Sequence, residues 1–264
     1  MLFYPSRNTF SASSPWLRSR RLLRPIALVA VTALAFPTTA VAQTAKIVPP
    51  GVTNACLGYP QLTNVAYFND GKRGAPMRAW AEPNESSQIV ATLAFGAELR
   101  GRPTYTVIGT DGEWLHVNVP ARPNGLTGYV RKKDVKTYQH PWTIVIELGR
   151  KQLTVCNSGR PVQREKIGIG IAAKPTPTGS CFTVELIKTK KPAGAYGPYA
   201  YGLSCFSDVV FSFGAGGDGR LGIHGTNEPG KLGTAVSSGC IRVSNAGITK
   251  MAKTLPVGVP VYIV

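Results

Sequence analysis

The 264-residue sequence predicts a mainly β protein: two β-rich domains in series, with one short helix near the C-terminus. Three observations carry that expectation. Apolar residues alternate over short runs, and Gly, Pro, Asn and Ser turn signals separate the runs. Only Val243 to Leu255 keeps a helical spacing, with Ile248, Met251 and Leu255 on one face. The clearest strand is Glu113 to Val119, where Leu115, Val117 and Val119 point one way and Trp114, His116 and Asn118 the other. With 43% hydrophobic and 16% charged residues the chain can bury a core, which excludes disorder by composition.

Residues 1–42 read as a signal peptide. Arg18, Arg20, Arg21 and Arg24 form a basic region, Ile26 to Phe36 an apolar stretch, and Ala40-Val41-Ala42 a small-residue cleavage site before Gln43. Cleavage would leave no stable transmembrane span. The alternative is an uncleaved anchor, which Pro37 and the threonines after it interrupt. Residues 43–73, with Pro49 and Pro50, read as a linker and irregular lead-in. A first β domain follows over 74–138, and His140-Pro141-Trp142 forms the junction. The second domain, 142–264, begins with two strands, Thr143 to Leu148 and Gln152 to Cys156. Strands at Ile167–Ile171, Phe182–Lys188, Tyr199–Ser204, Leu221–His224 and Val257–Val264 complete it.

The formal net charge is +17, and setting aside the five arginines of acid-free residues 1–42 lowers it to +12. That balance favours an anionic partner. No nucleic-acid-binding motif is present, so an anionic cell wall fits an exported chain better than nucleic acid. Neither C-x-x-C nor H-E-x-x-H occurs, which leaves a metal site without support. The run Gly214 to Gly219 lacks the Gly-Lys-Ser/Thr ending of a phosphate loop and reads as a turn feeding the strand of His224.

The chemistry concentrates in Gly222-Ile223-His224-Gly225-Thr226-Asn227 and Ser237-Ser238-Gly239-Cys240-Ile241-Arg242-Val243. Cysteine attack on an amide needs a thiolate, a base to generate it, and donors for the oxyanion. His224 can take the thiol proton, and a thiolate–imidazolium pair would lower the pKa of Cys240. Gly239 permits a sharp turn, so the backbone N–H groups of Gly239 and Cys240 are the expected oxyanion donors. Arg242 offers a cation to a substrate carboxylate. From spacing alone, Cys240 and His224 remain open to a bland reading, a small buried thiol and a satisfied core imidazole.

Two resemblances extend this. Met77-Arg78-Ala79, Phe95-Gly96-Ala97, Gly112 to Val117 and Gly128-Tyr129-Val130 together resemble a bacterial SH3-like small barrel over 74–138. His224-Gly225-Thr226 and Ser237 to Arg242 match the H-G-T and S-x-G-C-x-R pattern of the L,D-transpeptidases. Pro175-Thr176-Pro177-Thr178-Gly179 and Tyr199 to Ser204 match further elements, so 142–264 resembles that catalytic domain. The resemblance implies a β-rich fold, Cys240 as nucleophile, His224 as base, and no metal or organic cofactor. The substrates would be peptidoglycan stem peptides, joined through diaminopimelate-to-diaminopimelate cross-links. It also implies acylation of the same thiol by carbapenems, and a secreted, periplasmic or cell-wall-associated location. Ser238, Arg242, Asn227 and Tyr201 are the expected substrate-binding residues. The charge run Lys188 to Lys191 reads as a solvated loop or, by the resemblance, as the start of a lid over the cleft that extends to Tyr201, whose Tyr196, Tyr199 and Tyr201 would then line the acceptor path. Ser238 stands where many members have His, which removes any substrate contact made by that residue. The alternatives are an L,D-carboxypeptidase or endopeptidase with the same nucleophile, or a non-catalytic wall-binding protein.

If Cys240 stays free, Cys56, Cys156, Cys181 and Cys205 can pair in three ways. Cys181 and Cys205 lie equidistant from the Pro192-Ala193-Gly194 turn of a hairpin, which places them opposite each other. Cys181–Cys205 is therefore expected, with Cys56–Cys156 following by elimination. The alternative is four reduced core residues.

Overall fold

The structure is a computed structural model that describes residues 55–68, 77–93, 104–212 and 217–264. The expected signal peptide, the Phe95-Gly96-Ala97 element and Gly214 to Gly216 lie outside these residues.

The described residues are mainly β, with one α-helix. Seven strands form a first antiparallel sheet: β1 (Thr63–Phe68), β2 (Met77–Trp80), β3 (Ile89–Leu93), β4 (Thr104–Asp111), β5 (Trp114–Asn118), β6 (Thr127–Arg131) and β7 (Val135–His140). Their order is β3-β2-β6-β5-β4-β1-β7. Met77, Ala79, Tyr105, Leu115, Val117 and Val130 fill its core, as the alternation in β5 requires. One boundary differs from expectation. Residues 43–73 were expected to be irregular, yet β1 lies among them and pairs with both β4 and β7. Thr63-Asn64-Val65-Ala66-Tyr67-Phe68 is β-prone, but its apolar alternation is too short to stand out beside Gly58 and Pro60.

The second part comprises β8 (Trp142–Glu147), β9 (Gln152–Asn157), β10 (Arg160–Lys166), β11 (Ile169–Gly170), β12 (Gly179–Lys188), β13 (Tyr199–Phe206), β14 (Arg220–His224), β15 (Ala235–Ser237), β16 (Ile241–Arg242), α1 (Asn245–Thr254) and β17 (Pro260–Ile263). Eight of these strands form one sheet, β10-β9-β8-β17-β12-β13-β14-β16, while β11 and β15 pair separately. Ile144 and Ile146 of β8 enter the main core with Leu153, Leu203, Ile223 and Ile241. Ile248 and Met251 carry α1 onto that core without exposed surface, and each contributes about 1.5–3 kcal/mol by leaving water. Ser244 caps the helix by accepting the Gly247 N–H at 2.9 Å.

Strand β8 is buried on both faces because the lead-in covers the outer one. Val145 packs with Cys56 and Cys156, which form a disulfide with a Cα–Cα distance of 5.8 Å. A second disulfide joins Cys181 to Cys205 at 5.6 Å, in the register that Thr183 opposite Leu203 sets along the hairpin. The two bridges close loops of 100 and 24 residues. On chain entropy alone these are worth about 5 and about 3 kcal/mol.

The two sheets meet through polar contacts as well. Tyr138 donates to the Val257 carbonyl at 2.6 Å. His140 is buried, with Nε2 3.2 Å from the Gly258 carbonyl, and it accepts the Trp142 N–H at Nδ1. The junction histidine is thus a neutral structural residue, and burial lowers its pKa. His116 stacks on Tyr129 at 4.6 Å within the first sheet.

Candidate active site

Parallel pairing of β14 with β16 builds the site. Ile223 lies opposite Ile241, and His224 opposite Arg242. Ile223 and Ile241 are fully buried in the core. Strand alternation then sends Gly222 and His224, with Cys240 and Arg242, to the other face. Cys240 stands one residue before Ile241, beside Gly222, whose backbone N–H faces the thiol. Two segments with no sequence proximity thereby deliver a thiol and an imidazole to one face.

The turn that presents Cys240 is held from inside. Gly239 has φ of +117°, a conformation that side chains other than glycine's rarely adopt. Ser237 accepts the Gly239 N–H at 3.1 Å and donates to the Cys240 carbonyl at 2.6 Å. Thr176 is buried, donates to the Gly239 carbonyl at 2.8 Å and accepts the Gly170 N–H at 2.9 Å. The Pro175–Gly179 element therefore braces the cysteine turn from a distant stretch of chain. On the histidine side, Asn245 of α1 accepts the Thr226 N–H at 2.8 Å.

His224 is 5% exposed, and its Nδ1 lies 2.6 Å from the Gly225 carbonyl. That contact requires a proton on Nδ1, which leaves Nε2 as the acceptor. Burial, aided by the Arg242 charge, pushes the imidazole pKa down to about 4. Burial pushes the Cys240 thiol up, against the opposing influence of the Gly222 N–H and Arg242. The resting pair is therefore a neutral thiol and a neutral imidazole. Both shifts oppose the expected thiolate–imidazolium pair: burial acts on each group, and Nδ1 meets a carbonyl instead of a carboxylate.

Other expected residues fall in different places. The Gly239 N–H, an expected oxyanion donor, donates to the Ser237 hydroxyl at 3.1 Å in this structure. Among the described residues no hydrogen bond engages the Cys240 N–H. Tyr201 has no exposed surface, and its hydroxyl lies 3.1 and 3.0 Å from the Met251 and Leu255 carbonyls. It secures the end of α1 and does not line the site. Its alternation phase was legible, but not which side of β13 the helix would cover. Tyr199 packs against the core, whereas Tyr196 is 55% exposed with its ring 4.7 Å from that of His224. Arg242 is not a free cation: it binds Glu228 at 2.8 Å, a partner the sequence reading did not name. Ser238 is half-buried beside Cys240, and Asn227 is exposed beyond Thr226. Cys240 is the free cysteine, half-buried. Among the described residues no three His, Cys, Asp or Glu side chains cluster to hold a metal ion. Nor, among them, is any helix long and apolar enough to cross a membrane.

The family of the L,D-transpeptidase catalytic domain, YkuD, matches residues 141–263. The chain is 32% identical over 126 residues to the YkuD protein of Bacillus subtilis (strain 168). That match covers 48% of this chain and 68% of the relative. The Bacillus licheniformis YkuD protein is 32% identical over 47% of this chain and 66% of its own length. Among solved structures, an L,D-transpeptidase from Mycobacterium smegmatis is similar at 14% identity and a TM-score of 0.38, covering 76% of this chain and 99% of that one. The chain belongs to the L,D-transpeptidase family.

The depressed pKa of His224 makes a pH prediction. An imidazole that titrates near 6.5 when unfolded and about 4 when folded stabilises the fold fully above pH 6.5. That contribution, about 3 kcal/mol, is lost as pH falls from 6.5 to 4, because the unfolded chain binds the proton first. Urea unfolding at pH 7 and pH 4 should show the wild type losing about that much more stability than His224→Gln. Equal losses would mean that the imidazole is not held neutral.

Proposed function

We propose that this chain is a secreted peptidoglycan L,D-transpeptidase in which Cys240 is the acylated nucleophile and His224 the base. The observation that carries the reading is the β14–β16 register, which sets Cys240 and His224 on one strand face with Nε2 of the imidazole left as an acceptor. The donor stem offers the amide between the L-centre of diaminopimelate and a terminal D-alanine. His224 Nε2 takes the thiol proton as sulfur attacks the carbonyl carbon. The Cys240 N–H is the candidate donor to the oxyanion. Collapse breaks the C–N bond, and the imidazolium protonates the departing D-alanine amine, leaving a thioester. The side-chain amine of a second stem then attacks the thioester and gives its proton to His224. Collapse expels the thiolate, which recovers that proton. The product is a diaminopimelate-to-diaminopimelate cross-link, and the balance closes without metal or cofactor.

The first sheet is proposed to be an SH3-like module that seats this machinery against the anionic wall, in keeping with the formal charge of +12 that remains when residues 1–42 are set aside. Incubation with purified stem tetrapeptides, read by mass spectrometry, tests the reaction. A cross-linked dimer lacking one D-alanine is expected. Tripeptide alone would assign hydrolysis to the same nucleophile, and unchanged tetrapeptide would reject both activities.

A further inference from the structure

We propose that Arg122 and Asn124, carried by the first sheet on the β5–β6 loop, are positioning residues for the Cys240 turn in the second. The proposal rests on the reading of Cys240 as nucleophile. It changes the role of the first sheet from an attached module to part of the catalytic assembly.

The contacts lead from the first sheet towards the cysteine turn. Arg122 donates to the carbonyls of Ser207 at 3.0 Å, Val210 at 3.4 Å and Asp218 at 3.3 Å. Its guanidinium also lies over the rings of Phe206 at 4.7 Å and Phe211 at 4.8 Å. Only a planar cation with several fixed donors can fork to carbonyls and stack on rings together. Asn124 treats Phe206 as a strand neighbour would: it accepts the Phe206 N–H at 2.8 Å and donates to the Phe206 carbonyl at 2.9 Å. The two side chains thus grip both ends of the segment that leaves β13 and returns as β14.

That segment lies beside the cysteine turn. The Ser207 N–H donates to the Gly219 carbonyl at 2.9 Å and closes the base of the loop. Ser207 is fully buried, and its Oγ lies 4.0 Å from where a Cβ on Gly239 would stand. A Cδ of Leu221 lies 3.0 Å from the same point. The next residue is Gly222, whose N–H faces the thiol. A shift at Ser207 or Arg220 would therefore be felt at Gly239, which precedes Cys240, and at Gly222, which faces its thiol. Arg220 is itself tied to the first sheet, donating to the Pro120 carbonyl at 3.4 Å.

Four of the five cysteines are paired, so iodoacetamide alkylation reads Cys240 alone. The full chain, Arg122→Ala, Arg122→Lys and Asn124→Ala would be alkylated across pH and acylated with a carbapenem. The control is Tyr138→Phe, which removes a hydrogen bond between the sheets at Val257, away from this path. In Arg122→Ala, alkylation should speed several-fold and its pH midpoint fall, because a loosened turn admits water to the thiol. Carbapenem acylation should slow tenfold or more. Arg122→Lys should not restore it, Asn124→Ala should follow in the same direction, and Tyr138→Phe should match wild type in both rates. An unchanged alkylation profile in both Arg122→Ala and Asn124→Ala overturns the proposal. So does a changed profile with wild-type acylation, or a Tyr138→Phe loss that tracks its melting temperature. If the wild-type chain is not acylated, the functional reading fails, and the alkylation profiles still decide whether Arg122 positions the turn.

Discussion

Cys240→Ala should gain no mass from a carbapenem, while the wild-type chain gains one drug equivalent. The chemistry leaves little room for partial effects. Acylation needs a sulfur lone pair at this position, and Cys56, Cys156, Cys181 and Cys205 are tied in disulfides. Turnover of a stem tetrapeptide should fall to background, a loss on the order of the million-fold seen when a hydrolase loses its nucleophile. The fold should survive, because Cys240 is half-buried and losing one sulfur at such a site costs about 1 kcal/mol or less. An unaltered melting temperature would separate loss of the nucleophile from loss of structure. Intact-mass analysis decides the matter, since a drug adduct on Cys240→Ala would place the nucleophile elsewhere.

How much of this was legible depends on whether the interaction is local or long-range. Alternation in Glu113 to Val119 and helical spacing in Ile248, Met251 and Leu255 are local patterns, and they located β5 and α1. The register linking Cys181 to Cys205 was also readable, because a hairpin relates its arms by symmetry about the turn. Symmetry alone does not set it: from Lys188 opposite Tyr199 to Glu185 opposite Gly202 the pairing centres half a residue beyond Ala193, and the β-bulge between Thr183 and Glu185 shifts it onto Ala193, which sets Cys181 opposite Cys205. The parallel pairing of β14 with β16 was not readable. Those strands are short, and no hairpin connects them. The same holds for Thr176 on Gly239, Glu228 on Arg242 and Arg122 on Ser207, each a side chain reaching a group far along the chain. The motif named Cys240 and His224, while the burial that makes the pair neutral belongs to the packed structure. Gly239 shows the limit on one residue. Its glycine marked a turn, but only the Ser237 hydroxyl reveals that the N–H is already engaged.

His224→Ala and His224→Gln should each lose turnover by a factor of about a hundred to ten thousand, the range for a positioned general base. The neutral resting pair sharpens this expectation. Were Cys240 already a thiolate, the imidazole would mainly balance charge, and its removal would leave a nucleophile of ordinary thiolate reactivity. With the thiol pushed up and the imidazole pushed down by burial, attack requires transfer of the proton to Nε2 as the S–C bond forms. On the proposed mechanism, removing His224 would therefore remove the proton acceptor for that attack. Gln tests geometry separately, since it can hydrogen-bond to the Gly225 carbonyl but cannot accept and return a proton. His116→Ala is the fitting control, because His116 stacks on Tyr129 in the first sheet and should leave turnover near wild type. His140 is not a silent control. It is buried and bonded at both ring nitrogens, so its replacement should lower the melting temperature before it touches the chemistry. The acid limb of carbapenem acylation supplies the second measurement: it should lie well below pH 6.5, towards about 4. A limb at 6.5 or above, or equal losses in the His224 and His116 variants, would remove His224 from the role of base.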